Sequence, residues 1–302
     1  MAPPRDAPTT SDLLALKNRL IPLATELGRY ASRLRRDADA GGDDLGIRTK
    51  LGPGDLVTFA DGEVQRRLVA ALTQMLPGSG FVGEEDGLDR GDPEGATWVL
   101  DPIDGTHNYV RGYPGFCVSI GLVVAHEPVV GVIYDAAEDA VVWAVAGQGC
   151  WRGDRRLRTD GPQRPFAEAL IATNVTSAQT DRPQREAFAA ELTRASAGFR
   201  SSGSACRDFV HLVSGRTDLF WQFGLSSWDV AAGTVLVREA GGEVRFVGAP
   251  RDWVRAGGLS VFAGRPEAVA EAVRRAEAAG ALDEGSAAAP CGEGHSSTSA
   301  NP

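Results

Sequence analysis

Residues 98–106 read Trp-Val-Leu-Asp-Pro-Ile-Asp-Gly-Thr, three apolar residues that end in a tight turn carrying Asp101 and Asp104, with Thr106 just beyond. This is the pattern of a buried strand stopping at an Asp-Pro turn, which holds two carboxylates close together at a sheet edge. Unpaired, such a cluster repels itself and pushes one pKa upward. A bound divalent cation removes that penalty, because hard cations take oxygen ligands and favour carboxylates. Taken alone, the stretch also reads as an ordinary surface turn, since Asp-Pro and Asp-Gly are common turn dipeptides. The rest of the chain decides between the two.

Outward from this stretch, residues 97–146 continue as short β runs. Val99–Leu100, Val118–Val124, Val129–Tyr134 and Val141–Val145 are rich in β-branched residues and separated by turn signals. Gly147 to Asp154 has the turns of one more hairpin. Upstream, Leu13, Leu16, Leu20, Leu23, Leu27, Tyr30 and Leu34 recur at helical steps and predict an amphipathic helix over 11–36, which Pro22 is expected to split or kink. A second helix is predicted over 61–76, with Asp61 where an N-cap would sit.

Beyond a Pro- and Arg-containing seam near 155–168, strands and helices alternate. Strands are predicted near Ala169–Thr173, Phe199–Ser202, Asp218–Phe223, Glu243–Phe246 and Leu259–Ala263. Helices are predicted around Arg185–Ser196, Cys206–Ser214, Asp229–Ala240 and Pro266–Ala279. Such alternation argues for α/β layering. The chain thus divides into an N-terminal α+β half over 1–155 and a C-terminal α/β half over 156–283. Residues 284–302, all small or polar, read as a disordered tail.

The 302 residues suffice for a large core, and their net charge of −9 disfavours nonspecific nucleic-acid binding. It also makes a bare phosphate unwelcome unless metal ions invert the local field. No apolar run is long enough to cross a bilayer, and the N-terminus lacks the apolar core of a secretory signal. The cytoplasm is the expected location. Cys117, Cys150, Cys206 and Cys291 lie far apart, without Cys-x-x-Cys spacing or a partnering His run, so neither a zinc site nor a disulfide framework is expected. No Gly-x-Gly-x-x-Gly opens a helix and no Gly-x-x-x-x-Gly-Lys-Ser/Thr occurs, which rejects a nucleotide loop.

Four further segments carry acids or hydroxyls. They are Lys50 to Asp61, Phe81-Val-Gly-Glu-Glu85, Gly203-Ser204-Ala205 and Ser227-Trp-Asp-Val-Ala-Ala-Gly233. Singly, each has a plain explanation: Glu84–Glu85 as a solvated loop, Asp229 and Ser204 as helix caps, Lys50 as a surface lysine. In this order and spacing, however, the chain from about residue 11 to about residue 280 resembles the inositol monophosphatase family of metal-dependent phosphatases. The match rests on Gly83-Glu84-Glu85, Asp101-Pro-Ile-Asp-Gly-Thr106 and the distant Trp228-Asp-Val-Ala-Ala-Gly233.

That resemblance implies a layered αβαβα sandwich with its active site in the cleft between the two halves. Glu84, Asp101, Asp104 and Asp229 would be the metal-binding carboxylates, with the backbone carbonyl of Ile103 as another ligand, for about two or three Mg²⁺. One ion would lower the pKa of a water that Glu84 and Thr106 orient, with Asp61 supporting Thr106 from behind. The amides of Gly105 and Thr106 would cradle the phosphate, and Gly203, Ser204, Ala205, Gln222 and Asp229 would contact substrate. Lys50 resembles the mobile-loop lysine, and a homodimer is implied. No nucleic-acid or membrane partner is expected.

Substrate choice is where the pattern departs. Polyol-specific members commonly place a Glu six or seven residues before the Trp-Asp, where this chain has Gln222, an uncharged group that can also donate. Arg207 could face a second anionic group, but the expectation is a solvated side chain. His107-Asn108-Tyr109 resembles the inositol branch more than the adenosine-bisphosphate branch. The leading expectation is a Mg²⁺-dependent phosphomonoesterase acting on a small phosphorylated polyol such as inositol 1-phosphate. Histidinol phosphate, a sugar bisphosphate, and a regulatory protein that keeps the fold and binds a partner stay open.

Overall fold

In the computed structural model, the run that opens at Ala96 is one strand of a seven-stranded sheet. The structure describes residues 8–42, 44–50, 55–85, 88, 95–159, 164–174, 181–247 and 257–282. Cys291 and the expected tail over 284–302 lie outside them.

The chain begins with α1 (Thr10–Asp39), a small hairpin of β1 (Arg48–Thr49) and β2 (Leu56–Val57), and α2 (Phe59–Met75). The first sheet follows: β3 (Gly80–Gly83), β4 (Ala96–Asp104), β5 (Cys117–Val124), β6 (Glu127–Asp135), β7 (Ala140–Val145), β8 (Cys150–Arg152) and β9 (Arg155–Leu157), with the short α3 (Thr106–Arg111) between β4 and β5. These strands lie side by side in chain order; β3 is parallel to β4 and the other pairs are antiparallel.

The second half supplies β10 (Leu170–Ala172), α4 (Pro183–Ala195), β11 (Gly198–Arg200), α5 (Ala205–Val213), β12 (Leu219–Leu225), α6 (Ser227–Glu239), β13 (Glu243–Val247), β14 (Leu259–Gly264) and α7 (Pro266–Ala278). Its five strands run in the order β11-β10-β12-β14-β13. The boundary expected at 155–156 falls inside β9, the last strand of the first sheet.

Side-chain alternation along the strands builds the layers. Trp98 and Leu100 of β4 pack with Leu20 and Leu27 of α1 and Leu68 and Leu72 of α2. Val99, on the opposite face, joins a central cluster with Phe209 of α5, Val230 of α6 and Phe220 of β12. The far face of β12, through Trp221 and Phe223, packs on Phe188 of α4 and Val269 of α7. The result is the expected α/β architecture of helices, sheet, helices, sheet and helices. Because Asp101 shares the parity of Val99, it too faces the central helical layer.

Two expectations about elements are corrected. Pro22 neither splits nor ends its helix; α1 is continuous, since Leu20, Ala24 and Leu27 bury on both sides of it and tertiary packing offsets one lost backbone hydrogen bond. The strand also does not stop at Asp101. β4 runs on through Pro102 to Asp104, and its pairing with β5 breaks only between Asp101 and Asp104, where proline has no N–H to offer.

The central layer sits very close to the first sheet. A Cβ on Gly131 would lie 2.4 Å from the Ala232 carbonyl of α6, so only a glycine lets that helix approach.

Candidate active site

A cleft of about 190 Å³ brings together Glu84, Asp101, Asp104 and Asp229, and Gly105, Thr106 and Gly203 also line it. One oxygen each from Asp101, Asp104 and Asp229 lie within 4.8 Å of one another. Each aspartate arrives from a different local device, and each already has one oxygen held by the chain.

At the irregularity in β4, Asp101 Oδ1 accepts the Ile103 N–H at 3.1 Å. Asp104, at the strand end, accepts on Oδ2 from the Ser204 hydroxyl at 2.7 Å and the Cys206 N–H at 2.5 Å, both at the start of α5. Asp229 accepts on Oδ2 from the Ser226 N–H at 2.7 Å. Ser226 is the N-cap of α6 and Asp229 its third residue, so the capping position expected for Asp229 belongs to Ser226. The second oxygens are left to the cluster. Burial and mutual repulsion among Glu84, Asp104 and Asp229 hold the Asp101 carboxyl far above the ordinary carboxylate range. Asp229 is raised by burial and by Asp104. Asp104 is raised by burial, with the Ser204 and Cys206 donors pulling the other way. This cluster of hard oxygen donors, costly in isolation, fits a divalent cation.

Glu84 follows β3, and its carboxylate pairs with Lys50 at 3.1 Å; Lys50 also reaches Glu85 at 2.7 Å. Burial works against the Lys50 charge, but the two glutamates more than offset it and raise its pKa. Asp61 is fully buried and is not the N-cap of α2; that position is Thr58, whose N–H and hydroxyl both bind Asp61 Oδ2, at 2.8 and 2.5 Å. Asp61 Oδ1 faces the Thr106 hydroxyl at 3.4 Å, and the same hydroxyl lies 3.1 Å from the Ile103 carbonyl. Burial raises Asp61 to about 6 in spite of the Thr58 donors.

Of the expected substrate contacts, Gly203 lines the cleft, Ser204 caps α5 and holds Asp104, and Ala205 begins α5. Gln222 is buried and its Oε1 accepts from Asn174 at 3.2 Å; it is not among the cleft-lining residues. Arg207 is not solvated: its side chain is 16% exposed and pairs with Asp135 at 3.4 Å. Cys117, Cys150 and Cys206 are buried free thiols, as packing residues would be.

The sequence reading missed the groups that hold the site aspartates. Thr58 and Ser226 each precede an aspartate by three residues, a capping-box pattern that was legible. Ser204 reaching Asp104 is a contact across 100 residues, which no local signal marks.

The model of the Inositol monophosphatase family matches residues 17–280. The inositol-1-monophosphatase of Mesorhizobium japonicum is 37% identical over 253 residues, covering 83% of this chain and 91% of that protein. The Nus factor SuhB of Pasteurella multocida is 34% identical, covering 75% of this chain and 85% of its own. The solved extragenic suppressor protein suhB from Bartonella henselae superposes with a TM-score of 0.78 at 30% identity, covering 87% of this chain and 98% of that one. The chain belongs to the inositol monophosphatase family and is a metal-dependent phosphatase.

Proposed function

We propose that this member of the inositol monophosphatase family hydrolyses the phosphomonoester of a small polyol, inositol 1-phosphate first among candidates, with about two or three Mg²⁺. Glu84, Asp101, Asp104, Asp229 and the Ile103 carbonyl would hold the ions. The observation that carries this reading is the convergence of one carboxylate oxygen each from Asp101, Asp104 and Asp229 within 4.8 Å, with one oxygen of each aspartate held by a chain donor.

Bound divalent cations supply charge neutralisation at the phosphate and bring the pKa of water towards neutrality. Thr106 orients the attacking water. Its single proton faces two acceptors, Asp61 Oδ1 and the Ile103 carbonyl, so towards the cleft the oxygen can only accept. A water donating to Thr106 and to Glu84 turns its lone pair to the phosphorus. Asp61, with Oδ2 saturated by Thr58, fixes Thr106. The amides of Gly105 and Thr106, which the first turn of α3 does not use internally, face the phosphate. The attack is in line with the departing alcohol and needs no covalent intermediate.

The proposal includes a homodimer in the cytoplasm. No helix among the described residues is long and apolar enough to cross a membrane.

The test is phosphate release from inositol 1-phosphate, histidinol phosphate and a sugar bisphosphate, each with Mg²⁺ and with chelator. Fastest Mg²⁺-dependent turnover of the inositol ester supports the reading. Background turnover of it beside rapid histidinol phosphate hydrolysis moves the substrate to the amino alcohol. A partner-binding role, which the name of the Pasteurella relative keeps in view, wins if Asp101→Asn abolishes turnover yet leaves a cellular deletion phenotype fully complemented.

A further inference from the structure

Gly203 and Asp229 are the parts of the cleft wall supplied by the second half of the chain, and the peptide link between Gly203 and Ser202 is gripped from both sides. Asn108 on α3, four residues beyond Asp104, donates from Nδ2 to the Ser202 carbonyl at 2.8 Å and to the Gly115 carbonyl at 2.7 Å. Asn174, two residues beyond β10, accepts the Gly203 N–H on Oδ1 at 2.7 Å. The carbonyl and the N–H belong to one peptide group, held by one asparagine from each half. Gly203 has φ +75°, and a Cβ there would lie 2.7 Å from Asn108 Oδ1, so the grip requires glycine.

Chemistry fixes the orientation of Asn174. The Gly203 N–H can only donate, and the Ser201 hydroxyl donates to the same Oδ1 at 3.1 Å. The other end of the amide must therefore be the NH₂ group, which meets Asp208 Oδ2 at 2.8 Å and Gln222 Oε1 at 3.2 Å. Asn174, Asp208 and Gln222 are 8%, 0% and 6% exposed, so water cannot replace a lost partner without rearrangement. The Gly203 carbonyl in turn sits close against Gly105, where an added Cβ would approach it to 3.2 Å.

We propose that Asn108 and Asn174 clamp the Ser202–Gly203 peptide, and that Asn174 is a positioning residue that sets which phosphate ester the cleft accepts. The inference rests on the phosphatase reading above. On that reading the aspartate cluster and the Gly105–Thr106 amides would take the phosphate, which leaves the Gly203 wall of the same cleft to the alcohol portion. Loosening the clamp costs the alcohol contacts more than the phosphate contacts, because Ser204 still holds Asp104.

The test combines kinetics with site-resolved amide exchange on the full chain. Asn174→Ala is expected to raise Gly203 amide exchange about 10-fold, as loss of a buried hydrogen bond would. KM for the preferred polyol ester should rise by about the same factor, while kcat/KM for 4-nitrophenyl phosphate, whose aryl group makes no use of the wall, stays within about twofold. The exchanged pair Asn174→Asp with Asp208→Asn restores an acceptor for Gly203 and a donor–acceptor bond between positions 174 and 208, and should return both quantities towards wild type. Should Asn174→Ala fold poorly, Asn108→Ala tests the same peptide from its carbonyl side with the same readouts. Unchanged Gly203 exchange overturns the clamp. Parallel loss of both esters overturns the selectivity role. A wild type that releases no phosphate from either ester overturns the phosphatase reading and the selectivity role together, and the exchange measurement still decides the clamp.

Discussion

Asp101, Asp104 and Asp229 share one division of labour: one oxygen is fixed by a chain donor and the other is left to the cluster. Asp101→Asn keeps the bond to the Ile103 N–H but removes a charge. Turnover should fall at least about 10³-fold; Mg²⁺ is expected to raise the melting temperature of the wild type, and that rise should largely vanish in the variant. A retained Mg²⁺ shift would place the ions elsewhere. Thr106→Val removes only the hydroxyl between Asp61 and the Ile103 carbonyl. It should lower kcat about 10²-fold with the Mg²⁺ shift intact, because in the proposed mechanism Thr106 aims water without holding metal. At this scale the sequence was informative about which acids matter and less so about what holds them. Asp101 and Asp104 stand out within nine residues, and Asp61 and Asp229 sit in Thr-x-x-Asp and Ser-x-x-Asp boxes. Ser204 reaches Asp104, Asn108 reaches Ser202 and Asn174 reaches Gly203 across dozens of residues, so no spacing announces those contacts.

Among elements, β4 and α6 decide the geometry. The pairing break between Asp101 and Asp104 turns two carboxylates towards the central layer, and α6 can deliver Asp229 there because Gly131 leaves room for Ala232. Gly131→Ala should force the helix away from the sheet, destabilise the fold by about 1–3 kcal/mol in denaturant titration, and weaken Mg²⁺ binding by displacing Asp229. Loss of stability with unchanged Mg²⁺ affinity would separate helix packing from the site. Helix α5 carries a second signature. Burial raises Asp208 to about 7, with Ser202, Asn174 and Arg207 opposing it. A carboxyl raised in the folded state stabilises at low pH, and that stability is lost as pH climbs from about 4 to about 7. Asp208→Asn does not titrate. Its melting temperature should therefore gain on the wild type between pH 5 and pH 8. A pH-independent difference would contradict the burial argument. Periodicity located most helices and strands within a few residues, but it could not see that the packing of α1 overrides Pro22 or that β4 continues past Pro102.

For the whole molecule, the five layers follow from sheets that bury both faces against helices. The alternation of strands and helices in the second half was readable; the sharing of one central cluster by both sheets was not, because it joins Val99 to Phe220 across the chain. Light scattering is expected to return about twice the chain mass of 31.8 kDa, and a monomer at micromolar concentration would count against the dimer. A net charge of −9 around a buried acidic cluster makes the site dependent on cations before it can admit a phosphate ester. The most direct check is phosphate release from inositol 1-phosphate across a Mg²⁺ titration, with wild type and Asp101→Asn side by side. Turnover in the wild type that rises from background with Mg²⁺ and is abolished by chelator, with Asp101→Asn folded but inactive at every Mg²⁺ concentration, is the expected result. Metal-independent turnover, or equal activity in Asp101→Asn, would contradict the assignment of the aspartate cluster as the seat of the chemistry.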